Sequence, residues 1–142
     1  MSRTIRPLTL RERSMNKFIT FEGVEGSGKS TQLRRLGEYL NGKNIPVILT
    51  QEPSGTPIGR KIGDILFDRG HQAMCPETEL FLFFAARAQH VREVIQPALN
   101  DGKHVLCDRF SDATFAYQAA GRGLDFHFIT TENDYCAQQL TP

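Results

Sequence analysis

Apolar and polar positions fall in short blocks along this chain, and most blocks end at a recognisable stop. Phe18, Ile19 and Phe21 form an apolar run that predicts a short buried strand. Leu33, Leu36, Tyr39 and Leu40 recur at helical spacing, with Asn41-Gly42 as the predicted stop. Pro46-Val-Ile-Leu-Thr50 reads as a second strand, running into Glu52-Pro53-Ser54-Gly55-Thr56-Pro57, a loop dense in turn formers. Ile58, Ile62, Ile65 and Leu66 mark the face of a second helix, closed near Asp68-Arg69-Gly70. Pro76 opens a long third helix, roughly Glu77 to Gln96, where Pro97 tells against continuation. Asp101-Gly102 turns into a third strand, His104-Val-Leu-Cys107, followed at once by Asp108-Arg109. A shorter helix around Asp112 to Ala120 precedes Gly121-Arg122-Gly123. Phe126, Ile129, Cys136 and Leu140 allow one more helix, against the poor helix formers Thr130-Thr131. No internal repeat or low-complexity segment interrupts the series.

Strand–helix alternation of this kind predicts an α/β fold with a parallel sheet and helices on both faces. At 142 residues the chain fits one domain with a real core. Seventeen basic against sixteen acidic residues leave a formal charge of +1, so no global field recruits nucleic acid or an anionic membrane. The longest apolar run, Leu80 to Ala86, is too short to cross a bilayer. Cys75, Cys107 and Cys136 are odd in number, widely spaced and lack a C-x-x-C pairing, which points to a reducing cytoplasm and to neither a disulfide framework nor a zinc site. Residues 1–14 carry Arg3, Arg6, Arg11 and Arg13 without an apolar core. They read as a disordered leader, or as a start placed too early with Met15 as the working start, ahead of a domain over residues 15–142.

Candidate chemistry enters between the first strand and the first helix. Gly23-Val-Glu-Gly-Ser-Gly28-Lys29-Ser30 matches the phosphate-binding loop in its proper setting, a strand feeding a helix N-terminus. Glycines allow main-chain N–H groups to approach phosphate oxygens, and the helix adds its unsatisfied N–H groups and positive dipole end. Gly23, Val24, Glu25, Gly26, Ser27, Gly28, Lys29, Ser30 and Thr31 are therefore candidates to hold the phosphates of ATP. Lys29 would face the β- and γ-phosphates, and the Ser30 hydroxyl would ligate Mg²⁺. The bland alternative is a glycine-rich turn that matches by chance.

Ligands in open α/β sheets collect beyond the C-terminal strand ends, where Glu52-Pro53 and Asp108-Arg109 also fall. Asp108 suits Mg²⁺ and Arg109 a second phosphate, the alternative being a surface ion pair between neighbours. Phe83 and Arg87 lie i, i+4 on the third helix, so that Phe83 stacks on a base or joins Phe81 and Phe84 in the core. Arg87, a charge inside an apolar run, requires an anionic or carbonyl partner. Thr114 and Gln118 are again i, i+4 and either read the polar edge of a base or form a solvated face.

FEGVEGSGKST, TQEPSGT, FFAAR followed by VIQPAL, and CDRFSDATFAYQAAGRG, in that order, resemble the bacterial thymidylate kinases from about Met15 to Asp125. The resemblance implies a P-loop kinase-type three-layer αβα fold, ATP and dTMP as substrates, Mg²⁺, and commonly a homodimer. Carried over by motif position, Phe83 stacks on thymine, Arg87 contacts its edge, Thr114 and Gln118 complete base recognition, Tyr117 lies beside the deoxyribose, and Arg109 holds the dTMP phosphate next to Glu52 and Pro53. Lys29, Arg109 and Glu25 become the catalytic set; Glu25 and Gly26 match the bacterial subtype, in which a lid further along the chain supplies the catalytic arginine.

Three departures stand out. Gln51 and Gly63 occupy positions where the family usually carries arginines, and Arg60, one helical turn before Gly63, is a candidate to compensate. The sequence also ends at Pro142, where relatives of the family continue through the lid and the last strands. The fold is therefore expected to be incomplete at its C-terminus, the first strand an exposed edge, and this polypeptide a poor kinase. The alternatives are a nucleotide-binding remnant without turnover or another P-loop kinase; a GTPase switch is disfavoured because no Asn-Lys-x-Asp sequence is present.

Overall fold

The computed structural model describes residues 16–142, so the expected leader lies outside the described residues. Strands β1 (Phe18–Phe21), β2 (Val47–Gln51) and β3 (His104–Asp108) form a parallel sheet in the order β1-β3-β2. β3 is central because Val105, Leu106 and Cys107 are apolar on both faces, and all three are completely buried. In register, Val105 stands between Phe18 and Ile48, and Leu106 between Ile19 and Leu49.

The alternation of side chains sorts these residues into two faces. Helix α1 (Lys29–Gly42) covers one of them, where a Cβ at Gly37 would lie 2.6 Å from a Leu49 methyl group. On the other, Phe18, Val105, Cys107 and Ile48 pack against Val91, Ile95, Ala98 and Phe110. Helices α2 (Pro57–Phe67) and α3 (Pro76–His90) pack on each other, and α3 also meets α6 (Phe126–Cys136). Leu80, Phe84, Ala119 and Ile129 form a second cluster there. This is the expected three-layer α/β arrangement.

Two local expectations fail, at Pro97 and at Phe81. Pro97 does not end the long helix: after α3 a π-helical stretch, Val91–Ile95, leads directly into α4 (Gln96–Asn100). Pro97 thereby falls in the first turn of α4, where a missing N–H is tolerated. Helix α1 does end at Gly42, where the Asn41-Gly42 stop was expected, and the left-handed residue beyond it is Asn44, with φ 59°. Phe81 is 53% exposed and does not join Phe84 in the core. Thr130 and Thr131 do sit within α6, each donating its hydroxyl to the carbonyl four residues earlier, while Asp125 caps the helix through the Phe128 N–H at 2.6 Å. The shorter helix is composite, α5 (Ser111–Thr114) continuing as a π-helical stretch over Phe115–Gly121.

Candidate functional site

The C-terminal ends of all three strands open into one cleft of about 940 Å³. Glu25, Gly26, Lys29 and Ser30 of the loop after β1 line it, as do Glu52 and Pro53 after β2 and Asp108 and Arg109 after β3. Phe83, Arg87, Thr114, Tyr117 and Gln118 line it from α3, α5 and the π-helical stretch that follows. Gly23, Val24, Ser27, Gly28 and Thr31 are outside that lining but build the loop itself. Gly23, Gly26 and Gly28 take φ of 145°, 76° and 89°, a region that residues with a Cβ rarely enter. Lys29 Nζ donates to the Val24 carbonyl at 2.9 Å, drawing the ammonium across the loop.

The Ser30 hydroxyl donates to Asp108 Oδ2 at 2.5 Å. A hydroxyl and a carboxylate side by side at the loop exit fit Mg²⁺, which binds through one or two protein oxygens and takes the rest from water and phosphates. Among the described residues no three His, Cys, Asp or Glu side chains cluster as a metal cage, so an ion here would depend on nucleotide phosphates. Ser30 and Asp108 are the residues that would hold it.

Arg109 sits in a turn that several bonds define. Its backbone is left-handed, with φ 68°, its N–H donates to the Phe21 carbonyl at 3.1 Å, and its own carbonyl accepts the Cys107 thiol at 3.0 Å. The next residue, Phe110, donates its N–H to Glu22 Oε1 at 2.7 Å. Burial pushes the Glu22 carboxyl above the usual carboxylate range, against the lowering effect of that bond. The Arg109 guanidinium lies 5.4 Å from the centre of the Tyr117 ring, which holds it in the cleft.

Arg87 resolves the question of its partner differently from a base contact alone. It is 1% exposed, and its Nε and Nη2 donate to Glu52 Oε2 at 3.0 and 2.8 Å. Nη2 also reaches the Phe110 carbonyl and Thr114 Oγ1, and Nη1 reaches Asn133 Oδ1. Glu52 is thus engaged inward, with His90 Nδ1 at 3.3 Å from its other oxygen and Thr50 Oγ1 at 2.6 Å from His90 Nε2. Thr114 and Gln118 are 2% and 3% exposed, so they are not a solvated face. Phe83 is half-buried in the cleft wall.

Arg60, the candidate to compensate for Gly63, is on the exposed face of α2 and is not among the cleft residues. Gln51 does line the cleft. The sequence reading missed Glu22, Glu79, His90, Asn133 and Arg122. Of these, His90 and Glu79 carried a signal, one a polar residue on the apolar side of the long helix and the other an acid one turn before Phe83. Asn133 and Glu22 carried none, because their partners are distant in sequence.

A family model described as "Thymidylate kinase" matches residues 21–142. The thymidylate kinase of Pelobacter propionicus is 54% identical over 128 residues, spanning 90% of this chain and 58% of that protein. That of Pseudomonas fluorescens is 51% identical over 125 residues, spanning 88% of this chain and 60% of that protein. The crystal structure of a thymidylate kinase from Ehrlichia chaffeensis superposes with a TM-score of 0.80 at 43% identity, covering 85% of this chain and 69% of the other. The chain therefore spans 58–60% of the length of these curated relatives.

Proposed function

The chain belongs to the thymidylate kinase family, and from that premise we propose that its cleft transfers the γ-phosphoryl group of ATP to dTMP, giving dTDP and ADP. The observation that carries the reading is that Lys29 and Arg109 line one cleft, with Phe83, Tyr117 and Gln118 lining it as well. Main-chain N–H groups of the glycine loop and Lys29 hold the ATP phosphates, and Arg109 holds the acceptor phosphate. An oxygen of the dTMP phosphate then forms the new P–O bond as the bond to ADP breaks. The acceleration comes from positioning two anions that would otherwise repel, and from fixed positive charge, without a covalent enzyme intermediate. Ser30 and Asp108 would hold Mg²⁺, which when bound would supply further charge neutralisation. Phe83 stacks on the base, and Tyr117 both orients Arg109 and borders the sugar.

Glu25 joins Lys29 and Arg109 as the third catalytic candidate, supported only by its place in the cleft wall. A cytoplasmic setting belongs to the same reading and is supported by three unpaired cysteines, and a homodimer is supported by family likeness.

Calorimetric binding of dTMP and ATP, paired with a coupled turnover assay, tests the proposal. Arg109→Ala is expected to weaken dTMP while sparing ATP, and Lys29→Ala to lower turnover by about 10²-fold or more. Undiminished dTMP binding in Arg109→Ala would refute the acceptor assignment, and binding of both nucleotides without turnover would favour a nucleotide-binding remnant.

A further inference from the structure

The cleft has a polar group whose orientation is decided by a neighbour that does not itself need to touch a nucleotide. Gln118 is 3% exposed and lines the cleft. Its Nε2 donates to Glu79 Oε1 at 2.8 Å. Arg122 closes the other side of the same carboxylate, with Nη2 2.9 Å from Oε2 and Nε 3.4 Å from Oε1. A side-chain amide can be turned either way, but a carboxylate only accepts, so the NH₂ end must face Glu79. Turning the amide over would set carbonyl oxygen against carboxylate oxygen. Burial pushes the Glu79 carboxyl up, yet the hydrogen bonds from Arg122 and Gln118 outweigh it and hold the group below the usual carboxylate range. Glu79 is therefore an anion at neutral pH.

Among the described residues nothing donates to Gln118 Oε1, and that oxygen is left as an acceptor. We propose that Glu79 is a positioning residue for base selection: by fixing the Gln118 amide it presents an acceptor that suits a pyrimidine with an N–H at ring position 3 and rejects one with a bare nitrogen there. Thymine and uracil carry that N–H. Cytosine carries a lone pair at the same place, and its amino group replaces the carbonyl oxygen beside it. The inference rests on the dTMP reading above and adds how that site excludes a cytidine nucleotide. It predicts no discrimination between dTMP and dUMP through this pair, since the imide edge is the same in both.

Affinities of dTMP, dUMP and dCMP for the unsubstituted protein and for Glu79→Gln test it. The neutral amide at position 79 can donate as well as accept, which frees Gln118 to turn over. The dTMP-to-dCMP affinity ratio is expected to fall by about tenfold or more, because the penalty for a mismatched hydrogen-bonding edge is what the fixed amide enforces. A merely structural role for Glu79 would weaken all three nucleotides together and leave the ratio unchanged, and that result overturns the proposal. If the unsubstituted protein does not bind dTMP at all, the functional reading fails first and this inference with it. A second measurement needs no variant: hydrogen exchange of the Gln118 side-chain amide, followed by nitrogen-15 NMR in the nucleotide-free protein. Slow exchange supports an amide held by Glu79, and exchange at the rate of an unrestrained glutamine overturns it.

Discussion

Single charges below this cleft carry unequal burdens. Arg87 and Glu52 have side chains only 1% and 4% exposed, so each is the other's main compensation. Arg87→Ala would leave a buried carboxylate facing an empty space, and it is expected to cost about 3–5 kcal/mol in urea unfolding. Glu22 is a different case, because burial raises its folded-state pKa above the unfolded value. The folded protein then binds more protons than the unfolded chain between those two values, and stability falls as pH rises through that window. Glu22→Gln keeps an acceptor for the Phe110 N–H without the charge. It is expected to raise the urea midpoint at pH 7, with the gain vanishing once both states of Glu22 are protonated at low pH. Neither residue announced itself in the sequence in this role. Arg87 was legible as a charge needing a partner, but Glu52 lies 35 positions away and Asn133 46, and nothing local connects them.

Elements were read more securely than their ends. The strands and the glycine loop follow from period and composition over a few residues, which is where local physics decides. Pro97 was misjudged because a wider helical turn upstream absorbs its missing N–H, and only the packing of Val91 and Ile95 against the sheet reveals that turn. Helix α1 approaches the sheet through Gly37, where a methyl group would lie 2.6 Å from the tip of the Leu49 side chain. Leu49 is 42% exposed, so it can turn aside without moving the helix. Gly37→Ala is therefore expected to change stability by less than about 1 kcal/mol, the gain in helix propensity offsetting the displaced leucine, with the melting temperature as the measure.

At the scale of the whole molecule, three strands suffice to bring the loop, Glu52 and Arg109 to one rim, and that convergence was legible from strand order and motif position alone. The polar ties that make the rim rigid were not, since they join segments far apart in sequence. Among the described residues β1 pairs only with β3, and Ile19 on it is 37% exposed. Cys107 has a further consequence. Its thiol is wholly enclosed in the strand that ends at Asp108 and Arg109, and burial raises its pKa well above that of a free cysteine. A soluble alkylating reagent can reach it only when that strand comes loose, whereas Cys75 stands open throughout. The labelling rate at Cys107 is thus a clock for rare openings of the central strand, and the factor by which a nucleotide slows it measures how strongly the ligand grips the closed form, with no turnover required.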